Sequence, residues 1–212
     1  MRTQPGEVRR VIVKAALSTF CERGYGPATL EEIGAKVNLT RGGVLHHFKS
    51  KAVLLEAVID PYREALTDLL LHIQLDDPPS RGQRRQLLGS LADLMLEYRG
   101  SLRLLTNDVS ARAQLGRNDQ WPLAEGRLVS LLLGSKATDL TQVQVAAALG
   151  ALIQPVASLW LDLDDATTRG QLVEAAVAVL DGPRSTTAHP PAQVGAIPST
   201  PGPVPLASAV LQ

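Results

Sequence analysis

Apolar residues recur along most of this 212-residue chain at three- and four-residue spacing, and no stretch sustains strand-like alternation. Val8, Val11, Ile12, Ala15, Ala16 and Phe20 make one such stripe, which predicts an amphipathic helix over 6–23. Gly24, Gly26 and Pro27 interrupt it. Thr29 and Glu32 then have capping-box spacing, with the hydroxyl facing the Glu32 amide and the carboxylate reaching back, so a short helix opens and runs to about Val37. Asn38 and Leu39 form a turn. Thr40 caps a helix over 41–47, and Ser50 caps a long one. The stripe of the long helix is Leu55, Val58, Ile59, Tyr62, Leu66, Leu69, Leu70 and Ile73, with Pro61 inside it and expected to kink it. Asp76, Asp77, Pro78 and Pro79 end it.

Leu87, Leu88, Leu91, Leu94, Met95 and Tyr98 mark another helix, expected to close at Gly100. Helices over about 102–115 and 122–134 follow, separated by Gly116, Asn118 and Asp119. Thr141 is placed to cap a helix with the stripe Val145, Leu149, Leu152, Ile153, Val156, Leu159, Trp160 and Leu163, and with Pro155 inside it. A last helix over 166–181 uses Leu172, Val173, Ala176, Val179 and Leu180. The fold class is therefore all-α. Beyond Asp181 the character changes: residues 182–212 hold seven of the 14 prolines among Ser, Thr, Gly and Ala, a composition expected to stay disordered.

Composition adds little until it is divided. Net charge is zero, but residues 1–52 carry nine cations against four acids, +5, which leaves −5 for the remainder. A basic N-terminal module with an anionic partner, joined to an acidic companion, fits that asymmetry. Cys21 is the one cysteine, so no intrachain disulfide forms, and its place beside Phe20 predicts a buried thiol. The opening MRTQPGE lacks an apolar signal core. The longest apolar run, Val145–Ile153, falls short of the roughly 20 residues a spanning helix needs. These features predict a cytoplasmic protein with no membrane partner.

Two short helices joined by a tight turn and preceded by a supporting helix form a helix-turn-helix. Ala35 sits where the first helix passes the second, and Val37, Leu39, Val44, Leu45 and Phe48 are positioned to close the small core. One face of the second helix is left free, presenting Thr40, Arg41, Gly42, Gly43, His46 and His47. Such a helix enters the major groove with its N-terminal residues nearest the bases. Glycines there let the backbone approach the groove wall. Arg41 has the fork that reads guanine O6 and N7. Thr40, His46, Lys49, Ser50, Lys51 and the amides at the capped helix starts suit phosphate, and Thr29 is counted among the DNA-binding candidates.

The stretch YGPATLEEIGAKVNLTRGGVLHHFKSKAVLLEAVI resembles the DNA-binding domain of the tetracycline-repressor (TetR) family of transcriptional regulators. The likeness covers about residues 6–60. It rests on Phe20, Gly24, Tyr25, Thr29, the Ile33–Ala35–Val37 pattern, Thr40, Leu45 with Phe48, and Ser50–Lys51 before Leu54 and Leu55. The resemblance implies a homodimer, a long fourth helix linking the DNA head to a helical effector-binding body, and a dimer interface built from the last two long helices. Family members commonly carry tyrosine where this chain has His46, so a phosphate contact there would come from an imidazole.

The expected organisation is a helix-turn-helix domain over 1–52, an effector-binding and dimerisation domain over 53–181, and a tail over 182–212. The expected function is a repressor that leaves its palindromic double-stranded DNA operator when a small hydrophobic or amphipathic effector binds. Pocket candidates are Tyr98, Asn107, Trp121, Gln154 and Trp160, each more readily read as ordinary packing. Dimer candidates are Val145, Leu149, Leu152, Val156, Leu172, Ala176 and Val179, with Ala146, Ala147, Gly150, Ala175 and Ala176 small enough for close helix approach. A ligand-independent or activating regulator and an all-helical interaction protein or enzyme are the competing readings. No nucleophile elbow or phosphate-cradling loop is present, which speaks against an enzyme. His46 and His47 diverge by about 100° on their helix with no ligand one turn away, and Asp162, Asp164 and Asp165 lack a calcium loop, so neither metal nor cofactor is expected.

Overall fold

The computed structural model describes residues 5–116, 121–135, 139–158 and 165–182. Among these it contains ten helices: α1 (Pro5–Arg23), α2 (Leu30–Ala35), α3 (Arg41–His47), α4 (Lys51–His72), α5 (Arg81–Glu97), α6 (Arg99–Asn107), α7 (Val109–Leu115), α8 (Trp121–Leu133), α9 (Asp139–Ala157) and α10 (Asp165–Asp181). The Pro-rich segment expected to be disordered lies outside the described residues.

Helices α2, α3 and α4 begin where local chemistry predicts. Thr29 and Glu32 complete the capping box of α2, and the hydroxyls of Thr40 and Ser50 accept the Gly43 and Val53 amides at 3.1 and 3.2 Å. α4 continues through Pro61. Several boundaries differ from expectation: α2 ends at Ala35 rather than about Val37, and α9 at Ala157 rather than past Leu163. Gly100 lies inside α6, because Tyr98 (φ −102°, ψ 26°) both ends α5 and begins α6. The helix expected over 102–115 is broken at Asp108, whose carboxylate accepts the Ala111 amide at 2.9 Å and starts α7. Thr141 lies within α9, which begins at Asp139.

Two apolar cores share α4. The first packs Ile12, Phe20, Ile33, Val44 and Phe48 against Leu54, Leu55 and Ile59 of α4, and takes in Leu104, Ala111 and Leu115 from α6 and α7. The second packs Tyr62, Leu66 and Leu70 of α4 against Leu87, Leu88 and Leu91 of α5, Val145 and Leu152 of α9, and Leu172 and Ala176 of α10. A division at residue 52 would therefore cut the head's own core. Each of these leucines stabilises the fold by about 1.5–3 kcal/mol through burial. On the surface α10 runs antiparallel to α5 along three ion pairs: Arg81–Asp181, Arg85–Glu174 and Arg169–Asp93. Their exposure makes each a minor contributor.

α6 and α7 join the two cores. The Ser101 hydroxyl donates to the Val58 carbonyl at 3.1 Å, and the Asp108 carboxylate accepts the Tyr25 amide at 2.5 Å. On the other side Arg103 and Asn107 donate to the Ser158 and Ala157 carbonyls at 2.9 and 2.8 Å, satisfying groups at the C-terminal end of α9.

Candidate nucleic-acid interface

The close approach of α2 and α3 depends on Gly34. A Cβ at this position would lie 2.5 Å from the Leu39 carbonyl oxygen and 3.2 Å from a Val44 methyl. Ala35, expected at the crossing, is exposed instead. The Gly34 carbonyl accepts the amides of Val37 and Leu39, both at 2.9 Å, and Asn38 takes the left-handed conformation (φ 57°) that a short polar side chain tolerates. Below the turn Val44 and Phe48 are fully buried, while Val37, Leu39 and Leu45 pack at the margin.

That seating turns one face of α3 outward. Thr40, Arg41, Gly42, His46 and Lys49 are exposed, Gly43, His47 and Ser50 are half-buried, and Thr29 lies exposed at the start of α2. A Cβ on Gly42 would meet only the Thr40 hydroxyl at 3.8 Å, and one on Gly43 would meet the Leu39 side chain at 3.4 Å. The packing of the chain itself therefore does not require glycine at 42. The His46 and His47 rings meet edge to face, 5.3 Å apart. Among the described residues no group of three or more His, Cys, Asp or Glu is placed to hold a metal ion.

Several head cations are engaged internally. The Lys51 ammonium donates to the carbonyls of Tyr25, Gly26 and Ala28 at 2.8, 2.9 and 2.9 Å and lies over the Tyr25 ring. All three of its donors are then used, which corrects its reading as a phosphate contact: Lys51 ties down the loop before α2. Arg9, not singled out by sequence, lies over the Phe48 ring and donates to the His47 carbonyl at 2.9 Å, so it fixes the end of α3 against α1. Lys36 pairs with Glu22, and Arg23 with Glu32. The Lys36 ammonium, with help from the Ser18 hydroxyl, holds the Glu22 carboxyl below its ordinary range, and the Thr29 amide does the same for Glu32. Arg41 lies 3.2 Å from Glu31, and Lys49 has no ion pair among the described residues. Pairings such as Lys51 with loop carbonyls join residues more than twenty positions apart, and no local pattern reveals them.

Of the pocket candidates, the three whose side chains are described, Tyr98, Asn107 and Gln154, are not brought together. Tyr98 packs near Tyr62, with ring centroids 6.1 Å apart. Gln154 is exposed on α9. Asn107 lines a cleft of about 300 Å³ between the end of α1, the 24–27 loop and α6–α7, together with Phe20, Pro27 and Arg103. Trp121 begins α8 but its side chain lies outside the described residues, as does all of Trp160. Cys21, expected to be buried, is exposed as a residue; its thiol contacts the Gly100 carbonyl, and partial burial there pushes it up.

The dimer candidates also need correction. Val145, Leu152, Val156, Leu172 and Ala176 are 0–5% exposed in the single chain, and Leu149 and Val179 pack against the same core. They face inward because α9 and α10 cover α4 and α5. The outward faces carry Val143, Ala146, Ala147 and Gln154 on α9, and Gln171, Ala175 and Ala178 on α10.

Residues 12–58 match the family described as bacterial regulatory proteins, tetR family. The chain is 33% identical over 95 residues to the HTH-type transcriptional regulator TtgR of Pseudomonas putida, a match covering 44% of this chain and 45% of that one. It is 37% identical over 79 residues to the regulator SrpR, also of Pseudomonas putida, covering 37% of this chain and 34% of the relative. The matches thus span less than half the length of these relatives. The fold extends further. A TetR-like transcriptional regulator from Rhodococcus sp. RHA1 superposes with a TM-score of 0.63 at 20% identity, over 86% of this chain and all of the other. NalD of Pseudomonas aeruginosa, the secondary repressor of a multidrug efflux pump, superposes at 0.55 and 24% identity, over 81% and 96%. Among the described residues no helix is long and apolar enough to cross a membrane.

Proposed function

We propose, for a chain whose residues 12–58 match the tetR family of bacterial regulatory proteins, a cytoplasmic, non-enzymatic DNA-binding regulator of that family that acts as a dimeric repressor and leaves its operator when a small hydrophobic or amphipathic effector binds the body. The observation that carries this reading is the seating of α3. Val44 and Phe48 are buried beneath it, and Thr40, Arg41, Gly42, His46 and Lys49 stand outward. Arg41 and the bare Gly42 backbone face the base edges, while Thr29, Thr40, Ser50, His46 and Lys49 meet phosphate. Two copies place their α3 helices about 34–36 Å apart on a palindrome.

The dimer forms through the outward faces of α9 and α10, where Ala147 and Ala175 allow close approach. The effector acts through α6 and α7. These helices hold the end of α9 through Arg103 and Asn107, and the loop before α2 through Asp108. A ligand that shifts α6 in the body therefore moves the head, and by linkage DNA weakens ligand binding to the same degree. The transcriptional regulators TtgR and SrpR among the relatives support the reading.

The test is selection of duplexes from a random library by the full chain, followed by titration of the recovered site at several salt concentrations. Sequence-selective binding with a steep salt dependence is expected. Binding that is equally strong to every duplex, or absent, overturns the proposal.

A further inference from the structure

The DNA-facing surface carries one feature that phosphate binding does not explain. Glu31 is an exposed carboxylate in the first turn of α2, next to Thr29 and on the side of Arg41. An acid there repels the phosphates that the surrounding hydroxyls and cations attract. It meets Arg41 at 3.2 Å, with the nearest approach at Nε; both side chains are about three-fifths exposed. The other head glutamates with resolved pairings, Glu22 and Glu32, meet Lys36 and Arg23.

The choice of nitrogen decides what the pair does. A guanidinium has a side edge that includes Nε and an end edge formed by the two Nη groups. A carboxylate that approaches at Nε lies on the side edge and leaves the end edge open. The end edge is the one that forks onto guanine O6 and N7. Glu31 therefore attracts the long side chain of Arg41 by the part not needed for reading and biases its rotamers before DNA arrives. Arg41 follows directly on the Thr40 cap, whose hydroxyl is bound to the Gly43 amide at 3.1 Å, so its backbone is also held.

We infer that Glu31 is a specificity-determining positioning residue: it aims Arg41 at a guanine, and its negative charge lowers affinity for DNA in general. This rests on the reading of Arg41 as a base contact. Aiming Arg41 raises affinity for the matched duplex and with it discrimination, whereas the charge lowers affinity for every duplex alike and leaves discrimination unchanged. A residue that only supported α2 would alter affinity for all duplexes alike.

The experiment uses the full chain and the duplex recovered by selection with the wild-type protein, together with duplexes changed at each base pair in turn. Arg41→Ala identifies the base pair that Arg41 reads. Glu31→Gln is expected to reduce discrimination at that same pair by about three- to five-fold, the scale of an exposed ion pair. It is also expected to leave binding to unrelated duplex unchanged or raise it. If Arg41→Ala flattens one base pair and Glu31→Gln leaves that pair untouched, the inference fails and the base contact stands. If Glu31→Gln instead weakens every duplex equally, its role is structural and the inference fails. If Arg41→Ala alters discrimination at no base pair, the reading of Arg41 itself falls and takes the inference with it.

Discussion

Replacing Gly34 by alanine sets two known effects against each other at one atom. In an ordinary helix the change stabilises by about 1 kcal/mol, because alanine loses less backbone entropy than glycine. Here the new Cβ would sit 2.5 Å from the Leu39 carbonyl oxygen, and side-chain carbons do not approach within 3.0 Å, so the turn must move by at least 0.5 Å. The turn cannot move alone. Its Leu39 amide is bonded to the Gly34 carbonyl at 2.9 Å, and Val44, whose methyl lies 3.2 Å from the same Cβ, is buried beneath α3. Forcing a close-packed contact apart costs about 1–3 kcal/mol, and a backbone oxygen yields less readily than a side chain. The net expectation is a loss of about 1–2 kcal/mol, or a fall of about 2–8 °C in Tm for a chain of this size. Operator affinity should fall further, because α3 is displaced relative to α1. Gly42→Ala is the matched control, since its Cβ meets only the Thr40 hydroxyl at 3.8 Å. That variant should gain about 1 kcal/mol while losing operator affinity. Thermal unfolding by circular dichroism and a salt-matched binding titration measure both. A Gly34→Ala protein that melts at or above the wild-type temperature and binds normally refutes the close-approach argument.

Lys51→Ala should cost about 1–3 kcal/mol of stability, because three carbonyls lose a charged donor, yet leave the salt slope of DNA binding unchanged; Lys49→Ala should lower that slope by about one and leave the Tm alone. Glu22 and Glu32 are both held below the ordinary glutamate value of 4.5, so their contribution to the head is complete above that pH and is lost as pH falls below it. Thermal melts from pH 7 to pH 3 should show the decline, and Glu22→Gln should make it shallower. Ala147→Asp or Ala175→Asp should give folded monomers by light scattering, whereas Leu152→Asp, at a position 0% exposed within one chain, should unfold the body.

What the sequence determined by itself was local. The three- and four-residue apolar spacing specified helices, and Thr29–Glu32, Thr40 and Ser50 specified where three of them start, because a cap acts within one turn of its own residue. The bounds of α3 and the exposure of Arg41 and His46 follow from the same short-range rules. The tertiary structure decided whatever depends on a partner distant in sequence. It chose Gly34 over Ala35 as the crossing point, turned Lys51 from phosphate to the loop carbonyls, and placed Asp108 as both the cap of α7 and the grip on Tyr25. The apolar stripes of α9 and α10 show most plainly why. A stripe states that one face must leave water, but water is excluded equally well by the chain's own helices or by a second copy. Only the packing of α4 and α5 beneath Val145, Leu152 and Ala176 decides which.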